Sequence, residues 1–269
     1  MSDNNHQENT SSHMIIDFKL MVEFSEPMLL AIILLLLITI FLGVYNWPRI
    51  KSYINQWSND LDYGLVGHYT FDNVEELAID VSNNGRNGRN IGAISEDGAA
   101  FFDGKSKIVI EGFRDFPWGT NLTVSVWFKR IGKWDHYQGI VNNGYGFNGS
   151  WEIRMGRENQ GRMLGGGVIT PTSPKVWDYI NIQAAPQQWH HVVMKFDGKE
   201  LLFYLDGNIQ AGNSQVSGEI ISKNTPVTIG QAGVGTDAEY FYGYIDEVRI
   251  YSRTLSFAEI KKLSEFKAN

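Results

Sequence analysis

The sequence contains no cysteine, which excludes disulfide bridges, cysteine-ligated zinc sites and thiol nucleophiles. Positive charge is also scarce, because 23 Lys and Arg residues stand against 30 Asp and Glu residues, for a formal net charge of −7. Phosphate binding needs a concentrated basic patch, and none is visible along the chain. We therefore expect no nucleic-acid partner.

Charged residues are missing from residues 27–48, between Glu26 and Arg49. A helix over residues 28–47 of this stretch (MLLAIILLLLITIFLGVYNW) would be roughly 30 Å long, the thickness of a bilayer's hydrocarbon core. Tyr45 and Trp47 lie at its far end, where amphipathic rings settle at headgroup depth. The segment before it lacks a basic n-region and no small-x-small cleavage pattern follows it. The pattern predicts an uncleaved, single-pass membrane anchor.

The segments on either side of the anchor are of different kinds. Residues 1–27 are mostly polar at their start, and we expect this segment to be disordered. Residues 48–62 place Ile50, Tyr53, Ile54 and Trp57 on one face of a helix. This connector is interpreted either as an amphipathic juxtamembrane helix on the headgroups or as a plain helical stalk.

From residue 63 onward the hydrophobic period changes to that of β-strands. Short β-rich runs are separated by Gly, Asn and Asp, and the run NLTVSVWFKR alternates apolar and polar residues. Asp197 and Gly198 predict the turn of a hairpin. Ser256 followed by Glu259 predicts a capped C-terminal helix. Residues 63–269 are thus predicted to form one all-β domain with a short helix at its end.

Five ordered motifs in this region resemble a known family. They are GLVGHYTFDN with DVSNNGRNGRNIG, GAAFFDG, TVSVWFKR, QWHHVVMKFDGKELLFYLDG and GYIDEVRIYSRTLSFAEI. Together they are similar to the laminin G-like, concanavalin A-like jelly-roll domains. The resemblance implies a sandwich of two antiparallel sheets that binds glycans or proteins through rim loops, often beside a structural calcium ion.

The same superfamily contains glucanases, so catalysis has to be considered. Retaining glycoside hydrolysis needs two carboxylates about 5 Å apart. Glu152 has no acidic residue two or four positions away, and the adjacent Asp246 and Glu247 would point to opposite faces of a strand. No GxSxG motif occurs, and His190 and His191 lie within a strand pattern. We therefore expect no enzymatic activity, and a glycan-active hydrolase is the least favoured alternative.

Calcium is the metal for which the sequence offers a site. The loop DVSNNGRNG provides Asp80, Asn84 and Asn87 within a few residues, and hard cations prefer such oxygen ligands. The resemblance brings Asp246 back near this loop. The alternative is that Asn and Gly only make turns, with Asp80 bonded to nearby amides.

Aromatic residues in predicted loops form the candidate ligand-binding site. Flat rings that present apolar faces beside polar groups suit sugar stacking or protein contact. The loop residues are Trp134, Tyr137, Tyr145, Trp177 and Tyr179. Trp127 and Trp189 fall in strand patterns and are interpreted as structural. The alternative is that the loop aromatics pack down on the sandwich.

We therefore expect a membrane-anchored, lectin-like binding module that recognises a carbohydrate or a protein. The alternative is a structural component of a membrane-bound assembly such as a cell envelope or virion. Lys19 before the anchor and Arg49 and Lys51 after it favour a cytoplasmic β-domain, although large domains translocate despite such a bias. The laminin G-like resemblance and possible glycosylation acceptors at Asn121 and Asn148 favour the non-cytoplasmic side.

Overall fold

The computed structural model describes residues 60–131, 136–144, 148–156, 164–172, 178–180, 187–213, 215–232 and 239–266. The predicted N-terminal segment 1–27, the anchor 28–47 and most of the connector 48–62 lie outside these ranges. Within the ranges, no helix is both long and apolar enough to cross a bilayer. The anchor therefore stays a prediction.

The described chain is built almost entirely of short strands. In chain order the strands are β1 (Leu65–Tyr69), β2 (Arg89–Ile91), β3 (Ile94–Glu96), β4 (Ala99–Asp103), β5 (Lys107–Ile110), β6 (Leu122–Arg130), β7 (Gln138–Asn143), β8 (Trp151–Met155), β9 (Leu164–Val168), β10 (Asp178–Ile180), β11 (His190–Phe196), β12 (Leu201–Leu205), β13 (Asn208–Asn213), β14 (Val227–Ile229), β15 (Gln231–Ala232), β16 (Glu239–Tyr240) and β17 (Tyr242–Tyr251). A short helix, α1 (Phe257–Leu263), follows.

The strands form two antiparallel sheets and a small ribbon. The first sheet has the order β13-β12-β11-β6-β17-β4-β3, and β1 also pairs with β17. The second sheet has the order β10-β9-β8-β7-β14-β5-β2, and β15 pairs with β16 in a separate ribbon. Sequence neighbours such as β5 and β6 lie in different sheets, which is the crossing pattern of a jelly-roll sandwich. The predicted all-β jelly-roll fold is confirmed.

The core lies between the two sheets and follows from strand alternation. In β6, Leu122, Val124, Val126 and Phe128 are buried in one apolar cluster, whereas the residues between them face the other side. The predicted hairpin also forms, because β11 and β12 pair directly and the amide of Asp197 donates to the carbonyl of Glu200. The alternation in the sequence thus decides which side chains remain for the outer faces.

Helix α1 packs on the outer face of the first sheet. The Ser256 hydroxyl accepts from the Glu259 amide, and the Glu259 carboxylate accepts from the Ser256 amide, so the predicted capping box is present. Ile260 and Leu263 are buried beside Val193 of β11, among other residues. The helix therefore covers part of that face.

Candidate functional site

Most of the predicted ligand-binding aromatics lie outside the described residues. These are Trp134, Tyr145 and Trp177. Tyr179 belongs to β10, where its backbone pairs with Gly165, but its side chain is also outside the description. Tyr137 is described, and it lies half-buried just before β7, an inner strand of the second sheet. The predicted aromatic site can thus be examined at Tyr137.

Tyr137 rests on a buried group of charged side chains. The Arg154 guanidinium lies over the Tyr137 ring, 4.5 Å from its centroid. The Arg154 Nε atom is 2.9 Å from Glu152 Oε1, and Arg154 Nη1 is 3.2 Å from Glu239 Oε2. We call Tyr137, Glu152, Arg154 and Glu239 the Arg154 cluster.

The strand pattern WEIRM explains how the Arg154 cluster forms. Trp151, Ile153 and Met155 point into the core, so Glu152 and Arg154 point to the outer face of the second sheet.

The ribbon lies over this outer face. Asn142, which pairs with Glu152, donates to the Gln231 carbonyl at 2.5 Å. Gly139, which pairs with Arg154, meets the backbone of Ala232 so closely that a methyl group there would clash. The ribbon is therefore held against β7, where Glu239 can reach Arg154.

The two carboxyl groups of the cluster share one guanidinium. Glu152 is fully buried, and its contact with Arg154 is an ion pair that lacks hydrogen-bond geometry. Burial raises the pKa of Glu152 to about 8, Arg154 opposes this rise, and Glu239 adds to it. One positive charge cannot neutralise two buried carboxylates, so the pKa of Glu152 stays above its ordinary value despite the contact with Arg154. The sequence could not show this cluster because Glu239 lies far along the chain.

The loop predicted to bind calcium is closed by its own hydrogen bonds. Asp80 Oδ1 accepts from the amides of His68 and Ser82 and from the Ser82 hydroxyl, and Asp80 Oδ2 accepts from the Arg86 amide. Asn87 Oδ1 accepts from the Asp80 amide at 2.9 Å. These bonds match the alternative in which Asp80 organises a turn.

The other proposed calcium ligands make local contacts of their own. Asn84 Nδ2 donates to the Leu65 carbonyl at 2.9 Å. Asp246 Oδ1 accepts from the Glu247 amide at 2.8 Å, and burial together with the Glu247 charge raises the pKa of Asp246 to about 7. In the part of the chain that the structure describes, no three acidic or histidine side chains form a metal-binding group. Calcium binding stays a prediction.

A serine and a histidine meet on the outer face of the first sheet. Ser125 Oγ lies 2.8 Å from His191 Nε2, and His191 is 1% exposed. Within the described ranges His191 Nδ1 has no hydrogen-bond partner, so the third member of a catalytic triad is missing there. Burial lowers the pKa of His191 to about 3, which keeps the imidazole neutral. The pair is a packed polar contact, as the strand pattern of His190 and His191 indicated.

The structure separates the two tryptophans that were interpreted as structural. Trp127 is buried, and its Nε1 donates to the Leu263 carbonyl at 3.3 Å, which confirms a structural role. Trp189 instead lies half-buried on the outer face of the first sheet, 6.2 Å from the ring of Tyr244. The sequence pattern around Trp189 indicated a strand but did not indicate that its ring lies on the outer face of the sheet.

A sandwich of two antiparallel sheets with jelly-roll strand order is the architecture of concanavalin A-like domains. The chain belongs to the Laminin_G_3 family of the concanavalin A-like lectin/glucanases superfamily, whose profile matches residues 102–261.

Proteins similar to this chain include a receptor, an arabinanase domain and the binding domain of a mosquitocidal protein. A stretch of 151 residues is 30% identical to the adhesion G-protein coupled receptor V1 of Danio rerio and covers 53% of this chain but 2% of the receptor. Domain 4 of AbnA, an arabinanase from Geobacillus stearothermophilus, has a TM-score of 0.55 at 22% identity, covering 75% of this chain and 98% of that one. The binding domain of Paraclostridial Mosquitocidal Protein 1 has a TM-score of 0.60 at 19% identity, covering 76% and 52%. These structural likenesses show the fold.

The raised pKa of Glu152 predicts a specific pH dependence of stability. Because its folded-state pKa of about 8 lies above the ordinary value of 4.5, the folded state holds a proton that the unfolded state has lost between these values. The free energy of unfolding should therefore fall as pH rises through this window, by up to about 1.4 kcal/mol per pH unit. Denaturant unfolding of the wild type and of Glu152→Gln, measured from pH 5 to pH 8, isolates this contribution. Two curves that stay parallel would show that Glu152 is ionised in the folded protein.

Calcium binding can be tested by melting. An ion that binds only the folded state at about a hundred times its Kd adds about 2.7 kcal/mol, which raises the melting temperature by several degrees. We expect millimolar calcium to produce this rise in metal-stripped protein, and expect Asp80→Ala and Asp246→Ala each to remove it. The quantity compared is the shift on adding calcium, since Asp80→Ala also breaks the loop's hydrogen bonds. Equal melting temperatures of the wild type with and without calcium would show that the loop is only a turn and does not bind calcium.

Proposed function

We propose that this protein is a membrane-anchored, non-catalytic binding module whose rim loops recognise a carbohydrate or a protein. The observation that carries the proposal is the position of Tyr137 on the Arg154 cluster. Arg154 is fixed between two carboxyl groups, so Tyr137, just before β7, is attached to a rigid polar support. Binding groups held in place before the ligand arrives lose less conformational entropy on binding.

The same cluster supports a non-catalytic role. A general acid or base has to reach the substrate, either directly or through one water molecule. Glu152 is fully buried and Glu239 is 8% exposed, and both contact Arg154. Through Arg154, the two carboxyl groups therefore hold the ribbon, β8 and Tyr137 together.

The arabinanase relative favours a glycan as the ligand. Domain 4 of the arabinanase was solved in complex with arabinotriose, and the mosquitocidal protein contributes a binding domain. The botulinum neurotoxin type G receptor binding domain is similar as well, with a TM-score of 0.56 at 13% identity, covering 75% of this chain and 51% of that one. On this basis an oligosaccharide is the first ligand to test.

We propose that the β-domain lies on the non-cytoplasmic side of the membrane. Asn121 and Asn148, the asparagines of the two possible glycosylation sites, are both exposed. Exposure is what an attached glycan requires. The adhesion receptor relative supports the same side.

The ligand proposal predicts sugar binding that depends on the rim. The purified chain should bind specific glycans on an array, and Tyr137→Ala, Trp134→Ala and Trp177→Ala should each weaken this binding by about ten-fold or more, as expected for aromatic anchors. Tyr63→Ala is a matched control, because Tyr63 is 55% exposed and lies outside these loops. A blank array together with a stoichiometric protein partner would favour the structural-component alternative, and release of cleaved glycan would contradict the non-catalytic role.

The anchor proposal predicts integral association with membranes. The hydrophobic segment 28–47 carries no charge, so carbonate or high-salt washing should leave the chain in the membrane fraction and detergent should release it. A variant lacking residues 28–47 is the control and should fractionate with soluble protein. Release of the full chain by carbonate alone would contradict an anchor.

A further inference from the structure

A row of mostly apolar side chains crosses the outer face of the first sheet. The backbone register places Phe101 opposite both Ile94 and Tyr244, and Tyr244 opposite Lys129. Trp189 stands one residue before His190, at the next strand. We call Ile94, Phe101, Tyr244, Lys129 and Trp189 the aromatic row.

The side chains of the row contact one another. The ring centroids of Phe101 and Tyr244 are 5.1 Å apart, and those of Tyr244 and Trp189 are 6.2 Å apart. Lys129 Nζ lies 4.2 Å from the Tyr244 centroid and 5.1 Å from that of Trp189. The row is therefore one continuous surface.

This surface is open and unusual for its position. Ile94 is 55% exposed and the other four members are half-buried, although the solvent face of an antiparallel sheet is ordinarily polar. Phe101 stands between Ala100 and Phe102, which are fully buried in the core, so alternation turns its ring outward. Contiguous exposed aromatic surface marks an interaction site.

The size and charge of the row indicate the kind of ligand. Four inter-strand steps of about 4.8 Å make the row roughly 19 Å long, enough for a chain of several sugar rings. The Tyr244 hydroxyl donates to Glu96 at 3.0 Å, and Glu96 and Asp97 are both exposed beside it. The negative charges of these acids disfavour sulfated or phosphorylated ligands. The Lys129 ammonium does not offset them, because it already contacts the ring faces of Tyr244 and Trp189. Aromatic rings beside hydroxyl, carboxylate and ammonium groups match the C–H faces and hydroxyl groups of neutral sugars.

We propose that the aromatic row is a second binding surface, which takes a linear, uncharged oligosaccharide laid across the strands of the first sheet. It lies on a different sheet from Tyr137 and the Arg154 cluster.

The test measures binding of the purified full chain to glucose, xylose and arabinose oligosaccharides of three to five units, with a sulfated tetrasaccharide as the charged comparison. Tyr244→Ser should weaken binding of a neutral oligosaccharide by about ten-fold, a loss of about 1.4 kcal/mol. Phe257→Ser is the matched control, because Phe257 is 58% exposed on α1, outside the row. Trp189→Phe keeps an aromatic ring, and it should remove part of the sugar-induced change in tryptophan fluorescence even if Tyr244→Ser folds poorly.

The outcomes separate this proposal from the rim site. If Tyr137→Ala abolishes binding while Tyr244→Ser and Trp189→Phe leave both affinity and fluorescence change intact, the aromatic row is no ligand site and the rim proposal stands. Preference for the sulfated sugar, or no binding to any of these oligosaccharides, would overturn the proposal for the row. A different outcome is that the chain binds no sugar but self-associates. If Tyr244→Ser then abolishes this self-association, the surface binds a second copy of the chain.

Discussion

The burial of two apolar sheet faces against each other is the constraint on which the rest of this structure depends. Strands such as β6, β8 and β11 send alternate side chains into one shared core, where Trp118 and Trp151 meet edge to face at 5.3 Å. The Trp118 indole donates to Asn143 Oδ1 at 3.1 Å, so the polar atom of this large ring is satisfied inside the core. Since the core fixes every second residue, it also fixes which side chains are left for the outer faces.

The polar groups on the outer faces are covered in two different ways. On the first sheet, α1 packs beside Val193, and its Leu263 carbonyl accepts a hydrogen bond from the buried Trp127. On the second sheet, the β15 and β16 ribbon lies over β7 and brings Glu239 to Arg154. The ribbon thus holds an ion pair between itself and β8. The surface left open on the first sheet includes the half-buried aromatic rings of Phe101, Tyr244 and Trp189.

Much of the fold could be predicted from the sequence because alternation is a local signal. Strands with a clear period, such as β6 and β11, and the Ser256 capping box were predicted correctly. The short strands β2, β3, β15 and β16 carry too few residues for a period, and the ribbon was missed with them. The site was harder, since Glu152 and Glu239 meet only through the fold, and the aromatic row depends on the register of five strands. The predicted rim aromatics and calcium loop stay predictions.

The central claim is that sugars are recognised by side chains which the core displays at the rim and on the aromatic row. Mapping amide chemical shifts of the chain while titrating it with the neutral tetrasaccharide that binds most tightly tests this claim directly. The account predicts shifts around Tyr137 and in the strands that carry Phe101, Lys129 and Tyr244, with residues 257–263 unchanged. Shifts confined to α1, or no shifts with any neutral oligosaccharide, would contradict it.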